Sequence, residues 1–383
     1  MNHKQIKLGE VVETISNTYK FQDDQPVVFI NTGDILEGKF LHSKRSNPSS
    51  LPGQAKKSIK KGDILFSEIR PANKRYALVD FDADDYVVST KLMVLRPKNN
   101  IDPQYLYIWL TMPSTLRNFQ MIAESRSGTF PQITFEAIKN EEIPYPPLSE
   151  QKRISSILSS FDNKIEQLKK ENNILEDIAQ SIFKEWFVKY NFPNKDGKPY
   201  KDNNGKMIDS ELGLIPEGWR VGKLGEITSI TSGKNLPKKD LATKGKYEVL
   251  GANGKIGETN KYLFDKQLIF TGRVGTLGNV FLSNEPAWYS DNTLLIFPKN
   301  NFLYYVYRYL QRQRLEKLDR GSTQPLITQT DLKTILLPIP SLSLLNKFEK
   351  ISTLINNKIT QNKNNIDYFQ KIKTALLNKL ILA

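Results

Sequence analysis

The sequence predicts an α+β chain of two pseudo-symmetric domains joined by two long helices that bury each other as a coiled coil. Three observations carry that prediction. The stretch "SGTFPQIT", Ser127 to Thr134, is nearly rewritten as "GSTQPLIT", Gly321 to Thr328; a P-x-P segment follows each copy; and a heptad stripe follows each P-x-P. At 383 residues the chain has room for two or three separate cores, so duplication of a whole domain fits its length.

In chain order, "KLGEVVETIS" from Lys7 opens the first half and is matched by "KLGEITSITS" from Lys223 at an offset of 216. From Pro131 and Pro325 onward the offset is 194, so the second half is shorter by about 22 residues. Between these landmarks lie β-rich runs, "VVFINT" and "YVVSTKLMVLRP" in the first half and "KQLIFTGRV" and "NTLLIFP" in the second, with short aromatic helices "YLYIWL" and "FLYYVYRYLQ". Strands mixed with short helices are an α+β pattern. "IPYPPLSEQ" from Ile143 then lies over "LPIPSLSLL" from Leu337, where proline stops the preceding strand and sets the start of a helix; a polyproline ligand is the other reading of the same residues.

In the first heptad segment Ile154, Phe161, Leu168, Leu175 and Ile182 fall seven apart, with Ile157, Ile165 and Ile178 between them. Phe348, Ile355, Phe369 and Leu376 repeat the spacing, with Ile351, Ile359, Ile366 and Ile372 between, and Asn362 interrupts the stripe. A polar residue there either fixes register or opens the seam to water. A stripe of about 39 residues, roughly 58 Å as helix, is too long for a small domain to cover, so each covers the other. The second helix is the basic one: residues 342–383 carry seven lysines against Glu349 and Asp367, which suits a solvated face as well as DNA or a partner protein. The stretch from Asn191 to Trp219, dense in Gly, Pro, Asn and Asp, reads as a linker. The expected boundaries are residues 1–148 and 216–341 for the domains, 149–190 and 342–383 for the helices, and 191–215 for the linker.

Composition narrows the function. Fifty-five Lys and Arg against 41 Asp and Glu give a net charge of +14, which favours a polyanionic partner, although a lysine-rich proteome gives the same excess. Cysteine is absent, and His3 and His42 are too few for the usual zinc sets. No apolar run approaches the ~20 residues of a membrane span and no signal peptide is legible, so the expected location is cytoplasmic.

The motifs of catalysis are missing. "FTGRVGTLG", Phe270 to Gly278, has cofactor-loop glycines but places Val274 where a methyl-donor F-x-G-x-G site requires glycine. Neither an N-P-P-Y adenine-methylation motif nor a G-x-x-x-x-G-K-[ST] phosphate loop occurs. Asp24 with Glu37 to Lys39 imitates a nuclease spacing, a short pattern frequent by chance.

Four features in order resemble the DNA-specificity subunit of type I restriction-modification systems across essentially the whole chain. They are "SGTFPQIT" leading to "IPYPPLSEQKRISSILSSFDNKI"; "GKPYKDNNGKMIDSELGLIPEGWRVGKLGEI"; "IFTGRVGTLGNV" followed by "AWYSDNTLLIFP"; and "GSTQPLIT" leading to "LPIPSLSLLNKFEKISTLINNKI". The second half departs from the first in having "SLSLLNKF" where the first has "PLSEQKRI", so the Glu150-Gln151 helix start is unmatched. The resemblance implies two target-recognition domains, each reading half of a split DNA site, joined by helices in an antiparallel coiled coil. It implies no catalysis and no cofactor on this chain. Two modification subunits would methylate adenine N6 with S-adenosylmethionine, and restriction subunits would use ATP and Mg to translocate and cut.

For DNA binding the candidates are Lys56, Lys57, Arg70, Lys74, Arg75 and Lys91 in the first domain and Lys234, Lys238, Lys239, Lys261 and Arg273 in the second. Lys and Arg supply phosphate affinity and a few side chains read base edges. Arg70 and Arg273 stand out because each follows an apolar strand-like run and enters a loop. Gly128 and Gly321 read as turn formers. Two rivals remain: a stand-alone DNA-binding or anti-restriction protein, against which Trp186 and Phe187 argue if exposed for a partner, and a detached specificity region of a fused methylase-nuclease.

Overall fold

The first strand of each domain pairs with its last, which closes the domain beside its long helix. In the first, Gln5–Lys7 runs antiparallel to Glu142–Pro144; in the second, Arg220–Lys223 runs antiparallel to Leu336–Ile339. The shared K-L-G-E motif makes the turn that follows. The Glu10 and Glu226 carboxylates accept from the backbone N–H groups of Lys7 (3.3 Å) and Lys223 (2.8 Å), and one helical turn begins. Its glycine is demanded by contact: a Cβ on Gly225 would lie 3.0 Å from the Lys333 Cβ. The computed structural model describes residues 4–21, 25–126, 129–274, 277–300, 302–318 and 326–381. They form two compact units, Met1–Gln167 with Asn365–Ala383, and Leu168–Asn364.

Each unit holds a four-stranded antiparallel sheet of the same order. In the first the strands are Val12–Thr14, Leu92–Pro97, Ile64–Ser67 and Tyr76–Leu78; in the second they are Thr228–Ser232, Thr293–Pro298, Leu268–Gly272 and Val280–Ser283. The central strands are buried along nearly their whole length and therefore read as unbroken apolar runs, not alternations. A second sheet lies in each domain, with one parallel pair: Val27–Ile30 with Tyr86–Ser89, and Tyr247–Gly251 with Ala287–Tyr289. Domain one extends that sheet with Ala55–Ser58 beside Tyr86–Ser89, whereas domain two extends the opposite edge with Leu241–Ala242. The aromatic helices Pro103–Leu110 and Leu303–Gln311 pin each domain to its P-x-P: Tyr105 donates its hydroxyl to the Pro144 carbonyl at 2.9 Å, and Tyr305 does so to Pro338.

The long helices are Leu148–Phe187 and Leu342–Ile381, 40 residues each. Within the first unit Phe161 meets Phe369 with ring centroids 6.0 Å apart, and Lys373 bonds Asp162 at 2.5 Å. Within the second unit Asn172 meets Asn362 (2.9 Å) and Phe183 meets Phe348 (5.9 Å). In the second unit the numbers rise on one helix as they fall on the other, so the pairing there is antiparallel. Ile154, Ile165, Leu168, Phe348 and Ile366 are buried, and Phe161, Leu175, Ile182, Ile355, Phe369 and Leu376 are half-buried in the seam.

Three expectations change here. Ile178 is 43% exposed, because beyond Leu175 the interior passes to Ala179, Phe183 and Phe187, whose four-residue spacing walks around the helix. Trp186 and Phe187 are not exposed for a partner: Phe187 is buried against Trp219, Tyr305 and Phe348, and Trp186 packs on Phe348, so the argument they offered against a stand-alone protein falls away. The expected linker folds on itself. Phe192 stacks between Tyr200 (4.6 Å) and Trp219 (5.4 Å), and Met207–Ile208 pairs with Ile215–Pro216.

Candidate nucleic-acid interface

In each domain the strand that ends in the candidate arginine region is clamped by the repeated loop. Ile133 donates its N–H to the Glu68 carbonyl (2.8 Å) in the first domain, and Ile327 donates to the Arg273 carbonyl (2.9 Å) in the second. On the other side Glu68 donates to the Lys91 carbonyl (3.2 Å) and Arg273 to the Asn292 carbonyl (3.0 Å). The backbone equivalent of Arg273 is therefore Glu68, and Arg70 lies two residues further along. The two arginines are not counterparts, a shift that the parallel look of "DILFSEIR" and "QLIFTGR" hides. Gly128, Gly321 and Asp24 lie outside the described residues. Glu37 and Lys39 pair with different partners, Lys74 and Glu166.

Around the first loop the cations divide by task. Lys57 is turned inward: its ammonium donates to the carbonyls of Thr90 (3.1 Å) and Leu92 (2.7 Å), and burial lowers its pKa. In this conformation it ties strands together and is not the exposed phosphate contact that its position in the sequence suggested. Arg75 is likewise committed, donating to the Gly33 and Ile35 carbonyls at 3.0 Å. Lys56 and Lys91 are exposed. Arg70 and Lys74 are exposed and flank the 3-10 turn Pro71–Asn73, both with left-handed backbone at φ +44° and +55°. Glu37, whose carboxylate bonds the Lys74 ammonium at 2.7 Å, is left-handed too, at φ +47°. For residues with a Cβ this region costs about 1–2 kcal/mol each.

In the second domain Lys238 and Lys239 lie exposed on the 3-10 turn Lys238–Asp240, and Lys261 joins them by bonding Asp240 at 2.9 Å. Lys234 is exposed and stands apart from that group; its carbonyl accepts from the Trp288 indole (2.8 Å). Arg273 is half-buried and its Nε has no partner among the described residues. Three side chains that matter to these sites carried no legible signal. Gln120 accepts from the Ala72 N–H (3.0 Å) from 48 residues away, Glu37 holds Lys74, and Trp288 holds the Lys234 backbone. Gln151, at the helix start that the second half lacks, is buried and structural: it accepts from the Asp102 N–H and donates to the Pro146 carbonyl, both at 2.9 Å.

A family model, the type I restriction modification DNA specificity domain, matches residues 2–200 and again 216–368. The chain belongs to that family. The two matches coincide with the two halves of the repeat, so the duplicated sheet is a duplicated specificity domain. Among similar proteins, the HindI specificity subunit of Haemophilus influenzae is 32% identical over 99% of this chain and 98% of that one. The MjaIX specificity subunit of Methanocaldococcus jannaschii is 30% identical over 99% and 92%. The crystal structure of a type I restriction-modification S subunit from M. genitalium, 19% identical, superposes with a TM-score of 0.66 over 100% of this chain and 96% of that one, which establishes a shared fold. The chain is a DNA-sequence-recognising specificity subunit of the type I class. Among the described residues no helix is long and apolar enough to cross a membrane.

Proposed function

We propose that this chain is the non-catalytic DNA-reading subunit of a cytoplasmic type I restriction-modification complex, recognising a bipartite site with one half assigned to each domain. Its partners are double-stranded DNA, two methyltransferase subunits that modify adenine N6, and restriction subunits that translocate and cut. S-adenosylmethionine, ATP and Mg belong to those partners, and this chain carries no cofactor. The observation that carries the reading is the repeat itself. The same four-stranded sheet, with one of its central strands clamped at its end by the same loop, occurs in both halves of the chain, so whatever one domain reads, the other is built to read separately. The +14 charge suits a phosphate backbone.

The test is exchange of residues 1–142 for the corresponding part of another family member, followed by mapping of methylated adenines in cells carrying the hybrid and its partners. One half of the methylated motif should change and the other remain. A functional hybrid in which both halves change, or neither does, overturns the two-reader proposal.

A further inference from the structure

The turn between Ile64–Ser67 and Tyr76–Leu78 spends backbone strain to hold one shape. Arg70 and Lys74 are both left-handed, and only three residues separate them. The turn is tied from several sides. Ala72 donates to Gln120 Oε1 (3.0 Å), whose own amide is fixed by Glu124 (2.7 Å); Arg70 N–H donates to the Pro131 carbonyl (3.1 Å); and Lys74 bonds Glu37 (2.7 Å). The sister domain shows the alternative. Lys74 lies two residues ahead of Tyr76, which pairs with Phe66; two residues ahead of Val280, which pairs with Thr271, stands Gly278 at φ +100°. Where one domain lets glycine take the left-handed position freely, the other keeps a lysine there and uses its side chain to pin the turn.

What the pinned turn presents is chemically specific. Asn73 closes it by donating its N–H to the Arg70 carbonyl (2.8 Å), and both residues are exposed. The Arg70 guanidinium makes one long contact, 3.5 Å to the Thr129 carbonyl, and the Asn73 amide has no hydrogen bond among the described residues. An arginine fork matches guanine O6 and N7, and an asparagine amide matches adenine N6 and N7, in the major groove. Holding such groups on a rigid turn before binding removes the ordering cost from association.

We infer that the Arg70–Lys74 turn is the base-reading element of the first domain. Arg70 and Asn73 address base edges, and Gln120, Glu37 and Lys74 are positioning residues. This rests on the DNA-reading function proposed above. The turn lies in the first domain, so the effect is confined to one half-site.

The experiment uses the full chain co-expressed with its methyltransferase subunits, carrying Arg70→Ala, Asn73→Ala or Gln120→Ala. Methylated adenines are mapped, and binding is measured on duplexes altered at each base pair of the site. Arg70→Ala and Asn73→Ala should each lose discrimination at one base pair by about 5- to 150-fold, with the other half-site unchanged. Gln120→Ala should relax those same positions and no others, which a purely structural role would not do. Should Arg70→Ala fail to fold, Arg70→Lys keeps the charge, lacks the fork and makes the same test. If the wild-type complex methylates no defined motif, the DNA-reading function itself fails. If the wild type is specific and the variants match it, or lose affinity uniformly across all duplexes, the base-reading assignment of this turn is overturned.

Discussion

The two domains share a sheet order and a hydrogen bond from a tyrosine hydroxyl to a proline carbonyl, yet they bury charge in opposite places. In the first, Asp63 is fully buried and takes a bidentate pair of bonds from Arg96 at 2.7 and 2.8 Å, and the partnership raises the Arg96 pKa. By strand register the second domain has Leu268 and Phe297 at those two positions, both inside one apolar cluster. The aromatic helices reverse the pattern. Pro103–Leu110 is capped by its own neighbour, Asp102, which accepts from Tyr105 N–H (2.9 Å). Leu303–Gln311 has no such local cap among the described residues; the N–H groups of Tyr304 and Tyr305 donate to Glu349 of the second long helix at 3.1 and 2.9 Å. A fold can be copied while its buried polar chemistry moves, provided that every buried donor still finds an acceptor.

The largest test of that contrast is Arg96→Ala, which strands a buried carboxylate and should cost about 3–5 kcal/mol. The double change Asp63→Leu with Arg96→Phe, which imports the second domain's solution, should restore most of the loss. Thermal unfolding monitored in the first domain checks both, and a double variant as unstable as the single one would break the equivalence of the two sites.

Next in size is Glu349→Ala. It leaves two buried N–H groups unsatisfied and should destabilise the second domain by about 2–4 kcal/mol, against about 1 kcal/mol in the first for Asp102→Ala. Equal effects would show that the distant cap is no more consequential than the local one.

The pH dependence sharpens the same point. Burial pushes the Glu349 pKa up from its ordinary 4.5 to about 7, against the pull of its two backbone donors. A carboxyl with a raised folded-state pKa contributes its stability below pH ~4.5 and loses it as pH climbs through about 7. Wild-type stability should therefore fall by up to about 3 kcal/mol across that window, and Glu349→Gln should flatten this component. Unfolding measured from pH 4.5 to 8 on both proteins decides it; parallel curves would remove Glu349 as the cause.

A smaller effect is expected in the seam that supports the second domain. Asn362 is fully buried, bonds Asn172, and has an Oδ1 without a partner among the described residues. Replacing both by leucine should stabilise the second unit by about 1–2 kcal/mol while loosening helix register. The smallest is Lys74→Gly, which relieves left-handed strain but loses an exposed ion pair, for a net gain under about 1 kcal/mol. A clear loss would mean that the lysine contributes more than its pairing with Glu37.

Much of this architecture is legible in the sequence. The repeat, the strands in "LMVLRP" and "NTLLIFP", the proline-stopped junctions and both long helices follow from local patterns: period, β-branched and aromatic runs, and a missing N–H. These are properties of adjacent residues, so the sequence by itself determined them, and the family resemblance with them. Tertiary structure alone decided the rest. It turned Lys57 inward and left Lys56 outside, although the two are neighbours in one strand and composition cannot say which face is covered. It moved the seam from Ile178 to Ala179, made Arg273 the counterpart of Glu68, and brought Gln120 to Ala72 and Glu349 to Tyr305. Each of those outcomes depends on partners tens of residues away, brought close only when burial forces every polar group to find a mate.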